Sequence, residues 1–117
     1  MENVLVTGGA GFIGSHLVKA LINRDDIGKV VVVDNLSMSN LNYINLIRSP
    51  KLDFVEGDVA NYDLMSLLVN RYCVSTVFHL ATSPLVFSLK DPQLVIKNIM
   101  GMQQAVLECQ RKVFFKN

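Results

Sequence analysis

The sequence predicts an α/β fold in which a parallel sheet is covered by helices on both faces. Strand-like and helix-like stretches alternate along the chain in units of roughly 30 residues, the period of a β-α-β unit. An unbroken run of valines at 30–33 indicates a strand that is buried on both of its faces. Half of the residues are hydrophobic and only 18% are charged, a composition that suits such a sheet.

The strands are predicted where short apolar stretches lie between turn residues. We place them at 3–7, 29–33, 52–56 and 76–80. Right-handed crossovers between consecutive parallel strands then give the strand order 3-2-1-4. The segment 113–117 is interpreted as the beginning of a fifth strand, and we expect the sheet to be truncated there.

The helices are predicted from apolar residues that recur at helical spacing. The first covers about 11–24, and a short helix is predicted over 43–48. Asn61 is expected to cap the next helix, whose inward residues are Leu64, Leu67 and Leu68. A long helix begins at Asp91-Pro92, and its inward stripe is Val95, Ile99, Met102, Val106 and Cys109.

Length and composition limit the function. A chain of 117 residues forms one domain at most, and a net charge of +1 gives no reason to expect nucleic acid or a membrane surface as a partner. No apolar run approaches the roughly 20 residues that span a bilayer, and we expect no signal peptide and a cytoplasmic location. Cys73 and Cys109 lack metal-ligand spacing, so we expect no metal site and two buried thiols.

A glycine cluster directly follows the first predicted strand. Read from Gly9 its spacing is G-x-G-x-x-G, and read from Gly8 it is G-x-x-G-x-x-G, with Gly14 last in both. Glycines allow a sharp turn and let the backbone approach a diphosphate, which a Cβ would block. The helix that follows directs its unpaired N–H groups and its positive dipole end at such an anion.

An acidic residue completes this pattern. Asp34 ends the valine strand about 20 residues after the last glycine, where dinucleotide-binding folds place an acid for the ribose hydroxyls. A nucleoside-triphosphate loop would need Lys and then Ser or Thr after its last glycine, but Ser15 and His16 follow here. The pattern predicts a Rossmann-type dinucleotide-binding domain, and the alternative is a glycine turn in an unrelated α/β protein.

Four predicted turns follow the carboxyl ends of the four strands, at 8–14, 34–35, 58–59 and 81–82. The carboxyl ends of parallel strands meet at one edge of the sheet, and ligands of such sheets bind at that edge. These turns are far apart in sequence, but we expect them to be adjacent in space and to form one ligand site.

The four turns together resemble the extended short-chain dehydrogenase/reductase family, specifically its nucleotide-sugar epimerases and dehydratases. The segment VTGGAGFIGSHLV at 6–18 is similar to the opening of that family, and DNLS at 34–37 is most similar to the UDP-glucose 4-epimerase group. The segments 54–59, 78–82 and 98–101 also resemble family motifs, with Thr82 where Ala is usual and Met102 where Thr usually follows. The resemblance covers essentially the whole chain.

The resemblance implies NAD as the cofactor. The glycine loop would hold the pyrophosphate, the acid after the second strand would take both adenosine ribose hydroxyls, the third turn would contact adenine, and the fourth would line the path to the nicotinamide ribose. The implied cofactor-binding residues are Gly8, Gly11, Phe12, Ile13, Gly14, Asp34, Asn35, Ser37, Asp58, Val59, Leu80, Ala81, Thr82 and Asn98. Asp58 is also explained as a turn residue and Asn98 as an exposed helix position, and we expect His79 to be a packed, hydrogen-bonded core histidine.

The catalytic residues of the family have no counterpart in this sequence. The family uses a Ser or Thr after the fifth strand and a Tyr-x-x-x-Lys pair on the next helix, but the residues four positions after the three tyrosines are Ile47, Ser66 and Thr76. We expect the nucleotide-sugar domain to be absent as well. The resemblance therefore implies the NAD-binding portion of an epimerase or dehydratase that uses a UDP- or dTDP-sugar when full-length, and we expect this chain alone to be inactive.

Two other interpretations stay open: a non-catalytic, stand-alone NAD-binding or interaction module, and a broken reading frame that folds poorly. An isolated domain of this kind would leave its fourth strand as an open edge and one face of its long helix uncovered. We therefore expect a homo-oligomer, formed through helix 92–111 or through the edge of the fourth strand.

Overall fold

The computed structural model describes residues 1–37, 41–82 and 89–115, with side chains described as far as Lys112. The strands are β1 (Glu2–Thr7), β2 (Ile27–Asp34), β3 (Leu52–Glu56) and β4 (Thr76–His79). The helices are α1 (Phe12–Ile22), α2 (Tyr62–Arg71) and α3 (Pro92–Phe115), and a single 3₁₀ turn covers Ile44–Leu46. The predicted short helix over 43–48 is therefore reduced to that turn. No helix within the described ranges is long and apolar enough to cross a membrane.

The sheet is parallel throughout, and its order, β3-β2-β1-β4, confirms the prediction. At the carboxyl ends of the strands, Thr7 lies opposite Val33 on one side and His79 on the other, and Asp34 lies opposite Glu56. All four strands thus end at one edge of the sheet, which brings the turns that follow them together.

The core has two layers because successive residues of a strand point to opposite faces of the sheet. Leu5, Val31 and Val33 pack with buried residues of α2 and α3 on one face. Alternate residues of β1 and β2, such as Val6 and Val32, pack with α1 on the other face. The unbroken valines of β2 are needed because helices cover both sides of this strand, as the sequence indicated.

Short polar side chains cap the amino ends of two helices. The Asn61 side chain accepts a hydrogen bond from the Leu64 amide at 3.2 Å, which confirms the predicted cap of α2. The Asp91 carboxylate accepts one from the Leu94 amide at 3.1 Å at the start of α3. Each cap satisfies an amide that has no partner within its own helix.

The predicted fifth strand is wrong for residues 113–115, which continue α3 as far as Phe115. Lys116 and Asn117 lie outside the described residues. Periodicity alone cannot distinguish a short apolar run as a strand from the last turn of a buried helix. Here no glycine or proline follows Gly101 in α3, and the helix therefore continues.

Some side chains predicted to be buried are exposed. Leu67 of α2 is 59% exposed and Ile99 of α3 is 37% exposed, because each lies beside the stripe that packs on the sheet. Cys109 is buried as expected, but Cys73 is exposed in the loop after α2, where its φ is +50°. The stripe of α3 otherwise packs as predicted, with Val95, Met102, Val106 and Cys109 buried.

Candidate functional site

A cavity of about 780 Å³ lies at the carboxyl edge of the sheet. Its walls come from the turns after all four strands and from the first half of α3. Every residue that the sequence assigned to cofactor binding lines it, namely Gly8, Gly11, Phe12, Ile13, Gly14, Asp34, Asn35, Ser37, Asp58, Val59, Leu80, Ala81, Thr82 and Asn98. The predicted convergence of distant turns is therefore present as one continuous surface.

Gly8 forms the sharp turn that leaves β1. Its φ is +70°, a conformation that favours glycine, and its amide donates to the Val33 carbonyl at 2.8 Å. A Cβ at this position would lie 2.9 Å from the Ala81 amide nitrogen. The turn after β4 therefore packs directly against the glycine loop, and a side chain at Gly8 would separate them.

The space around Gly14 differs from the space around Gly11. A Cβ at Gly14 would collide with the Gly8 carbonyl oxygen and lie 2.7 Å from the Gly9 Cα, so α1 can pack on the loop only with glycine there. A Cβ at Gly11 would meet only the Gly8 oxygen, at 3.6 Å, and the φ of Gly11 is −74°. Among the described residues nothing excludes a side chain at Gly11, which lines the cavity.

The amino end of α1 faces this cavity without a side-chain cap. Its N-cap residue is Gly11, no side chain accepts a hydrogen bond there, and the first turn contains no acidic residue. Such an end carries partial positive charge and unpaired amides, which attract an anion. Phe12 and Ile13 line the cavity beside it and are 62% and 73% exposed, so apolar surface surrounds the polar centre of the site.

Asp34 is buried at the end of β2, and its carboxylate organises the site. One oxygen accepts from the Ala10 amide at 3.1 Å and the other from the Leu36 amide at 2.8 Å. Leu36 has a φ of +62°, so the chain turns sharply after the strand. The sequence predicted that Asp34 contacts a ligand. It did not predict the second role, in which Asp34 joins the glycine loop to the turn after β2.

The turns after β2 and β3 are closed by their own side chains. The Asn35 side chain accepts from the Ser37 amide at 3.0 Å, and the Asp58 carboxylate accepts from the Ala60 amide at 2.9 Å. Both are local turns of the kind that Asn and Asp favour. Asp58 therefore closes its turn and also lines the cavity, so its predicted roles as a turn residue and as a cofactor-binding residue are compatible.

The turn after β4 is held by Thr7 and His79. The Thr7 hydroxyl contacts His79 Nδ1 at 2.7 Å and accepts from the amides of Leu80 and Ala81 at 3.0 and 3.1 Å. His79 is half-buried, and burial lowers its pKa. The predicted hydrogen bond of His79 is confirmed, but the side chain is half-buried and is not part of the core.

The cavity is also lined by residues that the sequence analysis did not assign to the site, most of them on α3 or just before it. Besides Asn98, which is an exposed helix residue as well as a lining one, the cavity is lined by Ala60, Lys90, Asp91, Leu94, Val95 and Met102. For Val95 and Met102 the sequence predicted only burial in the core. Helical periodicity shows which face of a helix is inward, but it does not show where the sheet beneath the helix ends. Lys90 carried no signal in the sequence.

These residues fit a dinucleotide. The volume is within the roughly 300–1,000 Å³ of ligand pockets, and the site combines apolar walls with a few polar groups. An uncapped helix end suits a diphosphate and a buried carboxylate suits ribose hydroxyls, while Gly11 leaves room that a Cβ would fill. The fold is that of the Rossmann-type dinucleotide-binding domains.

Comparison with known proteins defines the family. The sequence model of the NAD dependent epimerase/dehydratase family matches residues 4–116, and the chain belongs to this family. The UDP-glucose 4-epimerase of Lacticaseibacillus casei is 32% identical over 114 residues, which are 97% of this chain and 33% of that protein.

Solved structures of the family have the same fold. UDP-glucose 4-epimerase from Brucella ovis in complex with NAD matches 95% of this chain and 32% of its own, with a TM-score of 0.80 and 36% identity. The dTDP-glucose 4,6-dehydratase from Streptomyces venezuelae, with NAD bound, matches 92% of this chain and 35% of its own, with a TM-score of 0.81 and 30% identity. The chain spans about a third of the length of these relatives.

Proposed function

We propose that this chain binds NAD in the cavity at the carboxyl edge of its sheet. The observation that carries the proposal is that turns from four distant parts of the sequence line one cavity, together with every residue assigned to the cofactor. Gly11 adds an independent argument, because packing against the described part of the chain does not explain its missing side chain. The NAD-bound relatives support the same choice of cofactor.

Each part of the cavity has a role in this proposal. The amides at the start of α1, from Phe12 to Gly14, bind the diphosphate. Asp34 holds the turn after β2 and also accepts hydrogen bonds from the hydroxyls of the adenosine ribose. Asp58 and Val59 contact adenine, and the chain from Leu80 to Thr82 lines the path to the nicotinamide ribose.

We further propose that the chain is the NAD-binding portion of a nucleotide-sugar epimerase or dehydratase, with a UDP- or dTDP-sugar as the substrate of the whole enzyme. Bound NAD supplies the hydride acceptor and donor in such chemistry. These 117 residues contribute binding and orientation only, because none of their tyrosines is followed four positions later by Lys. The free cysteines are compatible with the cytoplasmic location that we propose.

We also propose self-association. Among the described strands β4 pairs only with β1, so its outer edge carries unpaired backbone groups. On α3, Ile96, Met100 and Leu107 form an apolar stripe that is more than half exposed at each position. A second copy of this chain would cover the stripe or the strand edge.

Amide NMR of the chain during a titration with NAD tests the proposed cofactor. We expect the amides of the glycine loop, the turn after Asp34 and residues 80–82 to shift, because they line the cavity. The amides of Asn3, Gly28 and Ser75 at the opposite edge of the sheet serve as an internal control and should not move. If saturating NAD leaves the glycine loop unshifted, the proposal is wrong.

A further inference from the structure

We propose that the Thr7–His79 pair positions the Leu80–Ala81 wall of the site, and that NAD binding weakens when His79 takes up a proton. This inference rests on the proposed function, since it concerns the affinity for NAD. It assigns a role to two residues that line neither the diphosphate end nor the ribose end of the cavity. Thr7 and His79 act through the backbone and are therefore positioning residues.

The hydrogen bonds of Thr7 indicate which nitrogen of the neutral His79 ring carries the proton. A hydroxyl has one proton to donate and two lone pairs that accept. The lone pairs of the fully buried Thr7 hydroxyl accept from the amides of Leu80 and Ala81 at 3.0 and 3.1 Å. Its proton must then point to His79 Nδ1, 2.7 Å away. His79 Nδ1 is thus an acceptor, and the neutral ring carries its proton on Nε2.

A proton on Nδ1 would break this arrangement. Nδ1 would become a second donor facing a hydroxyl oxygen whose lone pairs are already used, so one amide must lose its acceptor. The Leu80 amide has another acceptor, the Thr7 carbonyl at 3.1 Å. Among the described residues the Ala81 amide has only the Thr7 hydroxyl, so Ala81 is the point at which the wall loosens.

Ala81 is also where the wall contacts the glycine loop. A Cβ placed on Gly8 would lie 2.9 Å from the Ala81 nitrogen and 3.0 Å from its Cα, so the two backbones are in close contact. Gly8 and Ala81 both line the cavity. A displacement of Ala81 would therefore alter the proposed nicotinamide end of the site and the loop at its centre together.

The surroundings of His79 favour its neutral form. His79 lies on the sheet face of Val77, which packs against α2 and α3. The titratable or charged side chains of β1, α2 and α3, and those just before α3, are Glu2, Tyr62, Asp63, Arg71, Lys90, Asp91, Lys97, Glu108, Cys109, Arg111 and Lys112. None of them shifts the pKa of His79, which burial alone lowers. The folded, binding-competent site is therefore complete above the ordinary histidine pKa and is lost as the pH falls through the lowered value.

NAD affinity of the whole chain, measured by calorimetry from about pH 8 to about pH 5.5, tests the inference. We expect the affinity to fall about fivefold or more toward acid, the loss that one hydrogen bond of this kind produces. His79→Asn keeps an acceptor for the Thr7 proton but cannot titrate, so its affinity should stay constant over this range. His16→Asn removes the other histidine of the chain and should keep the wild-type profile.

Substitutions of Thr7 separate positioning from simple packing. Thr7→Ser retains the hydroxyl and should keep both the affinity and its pH dependence, whereas Thr7→Val retains the shape and should lose both. Nitrogen NMR of the imidazole should find the proton of His79 on Nε2 in the chain without NAD. A His79→Asn profile that falls as the wild type does, or a proton on Nδ1, overturns the inference. An absence of NAD binding at pH 8 overturns instead the proposed function on which it rests.

Discussion

The Asp34 carboxylate accepts a hydrogen bond from the Ala10 amide at 3.1 Å and thereby joins the end of β2 to the glycine loop. Its other oxygen holds the Leu36 amide at 2.8 Å. The same side chain that is proposed to bind the adenosine ribose therefore also fixes two walls of the cavity. A substitution at Asp34 will change both the stability of the turns and the choice of cofactor, and experiments must separate these effects.

Asp34→Ala should reduce the preference for NAD over NADP by about 1–3 kcal/mol. A 2′-phosphate on the ribose would meet the buried carboxylate of Asp34, and residues 35–42 contain no Arg or Lys to neutralise it. Calorimetric titration of the wild type and the variant with both cofactors measures the difference. Wild-type binding of NADP as tightly as NAD would contradict the prediction.

Glu56→Gln is the matched control for that experiment. Glu56 lies opposite Asp34 in the sheet register and is exposed, so it places a similar charge one strand away. Its replacement should leave the cofactor preference unchanged. Urea denaturation of Asp34→Ala then reports the structural role separately, where each lost hydrogen bond contributes about 0.5–1.5 kcal/mol to the free energy of unfolding.

Gly14→Ala should reduce the stability of the fold, whereas Gly11→Ala should mainly weaken NAD binding. The Gly14 variant places a Cβ against the backbone of Gly8 and Gly9, and we expect it to lower the free energy of unfolding by about 1–3 kcal/mol. The Gly11 variant meets no such obstacle and should fold nearly as well, but its side chain enters the cavity and should weaken NAD binding. Denaturation and NAD titration of both variants check this, and an unstable Gly11→Ala would show that packing explains that glycine.

The purified chain should not interconvert UDP-glucose and UDP-galactose. A positioned acid/base contributes roughly 10²–10⁴ in rate, and binding alone cannot replace it. The assay requires protein from a host that lacks its own epimerase, with that host's mock purification as the blank. Turnover above the blank would refute both the prediction and the proposed division of roles.

Charge on the exposed stripe of α3 should reduce self-association. Burial of Ile96, Met100 or Leu107 by a second copy would contribute about 1.5–3 kcal/mol each, and Met100→Glu removes the centre of the stripe. Light scattering at high concentration should show an oligomer for the wild type and a smaller species for Met100→Glu. Ala20→Lys on the exposed side of α1 is the control and should not change the mass. An unchanged oligomer in Met100→Glu would assign the contact to the β4 edge, and a monomeric wild type would reject association.

The stability of the fold should decrease in alkali through Tyr72. The Tyr72 hydroxyl donates to Asp53 at 2.8 Å, and this bond raises the pKa of Tyr72. The unfolded chain releases the phenolic proton near about pH 10 and the folded chain at higher pH, so the contribution is complete below about pH 10 and is lost as the pH rises through the raised value. Tyr72→Phe should lose this part of the alkaline decline, whereas Tyr43→Phe should retain it. Equal declines in the wild type and Tyr72→Phe would contradict the assignment.

The sequence by itself determined the fold class, the strand order and the positions of the turns that meet at the cavity. Valine runs and helical spacing depend on short stretches of chain, and the handedness of crossovers then limits how those stretches assemble. The glycine spacing and Asp34 are similarly local signals and predicted where a ligand binds, whereas cavity residues such as Ser37, Leu80 and Asn98 followed from the resemblance of their segments to family motifs. The end of α3 was predicted wrongly because an apolar run such as 113–115 suits a strand and a helix equally.

Only the tertiary structure decided how those residues hold one another. The bond between Ala10 and Asp34 joins residues 24 apart in sequence, and that between Thr7 and His79 joins residues 72 apart. No local pattern encodes such partners, because they depend on where separate backbone segments lie after the sheet has formed. The cavity wall supplied by Lys90 and Leu94 has the same origin, since it requires the start of α3 to lie over the edge of the sheet.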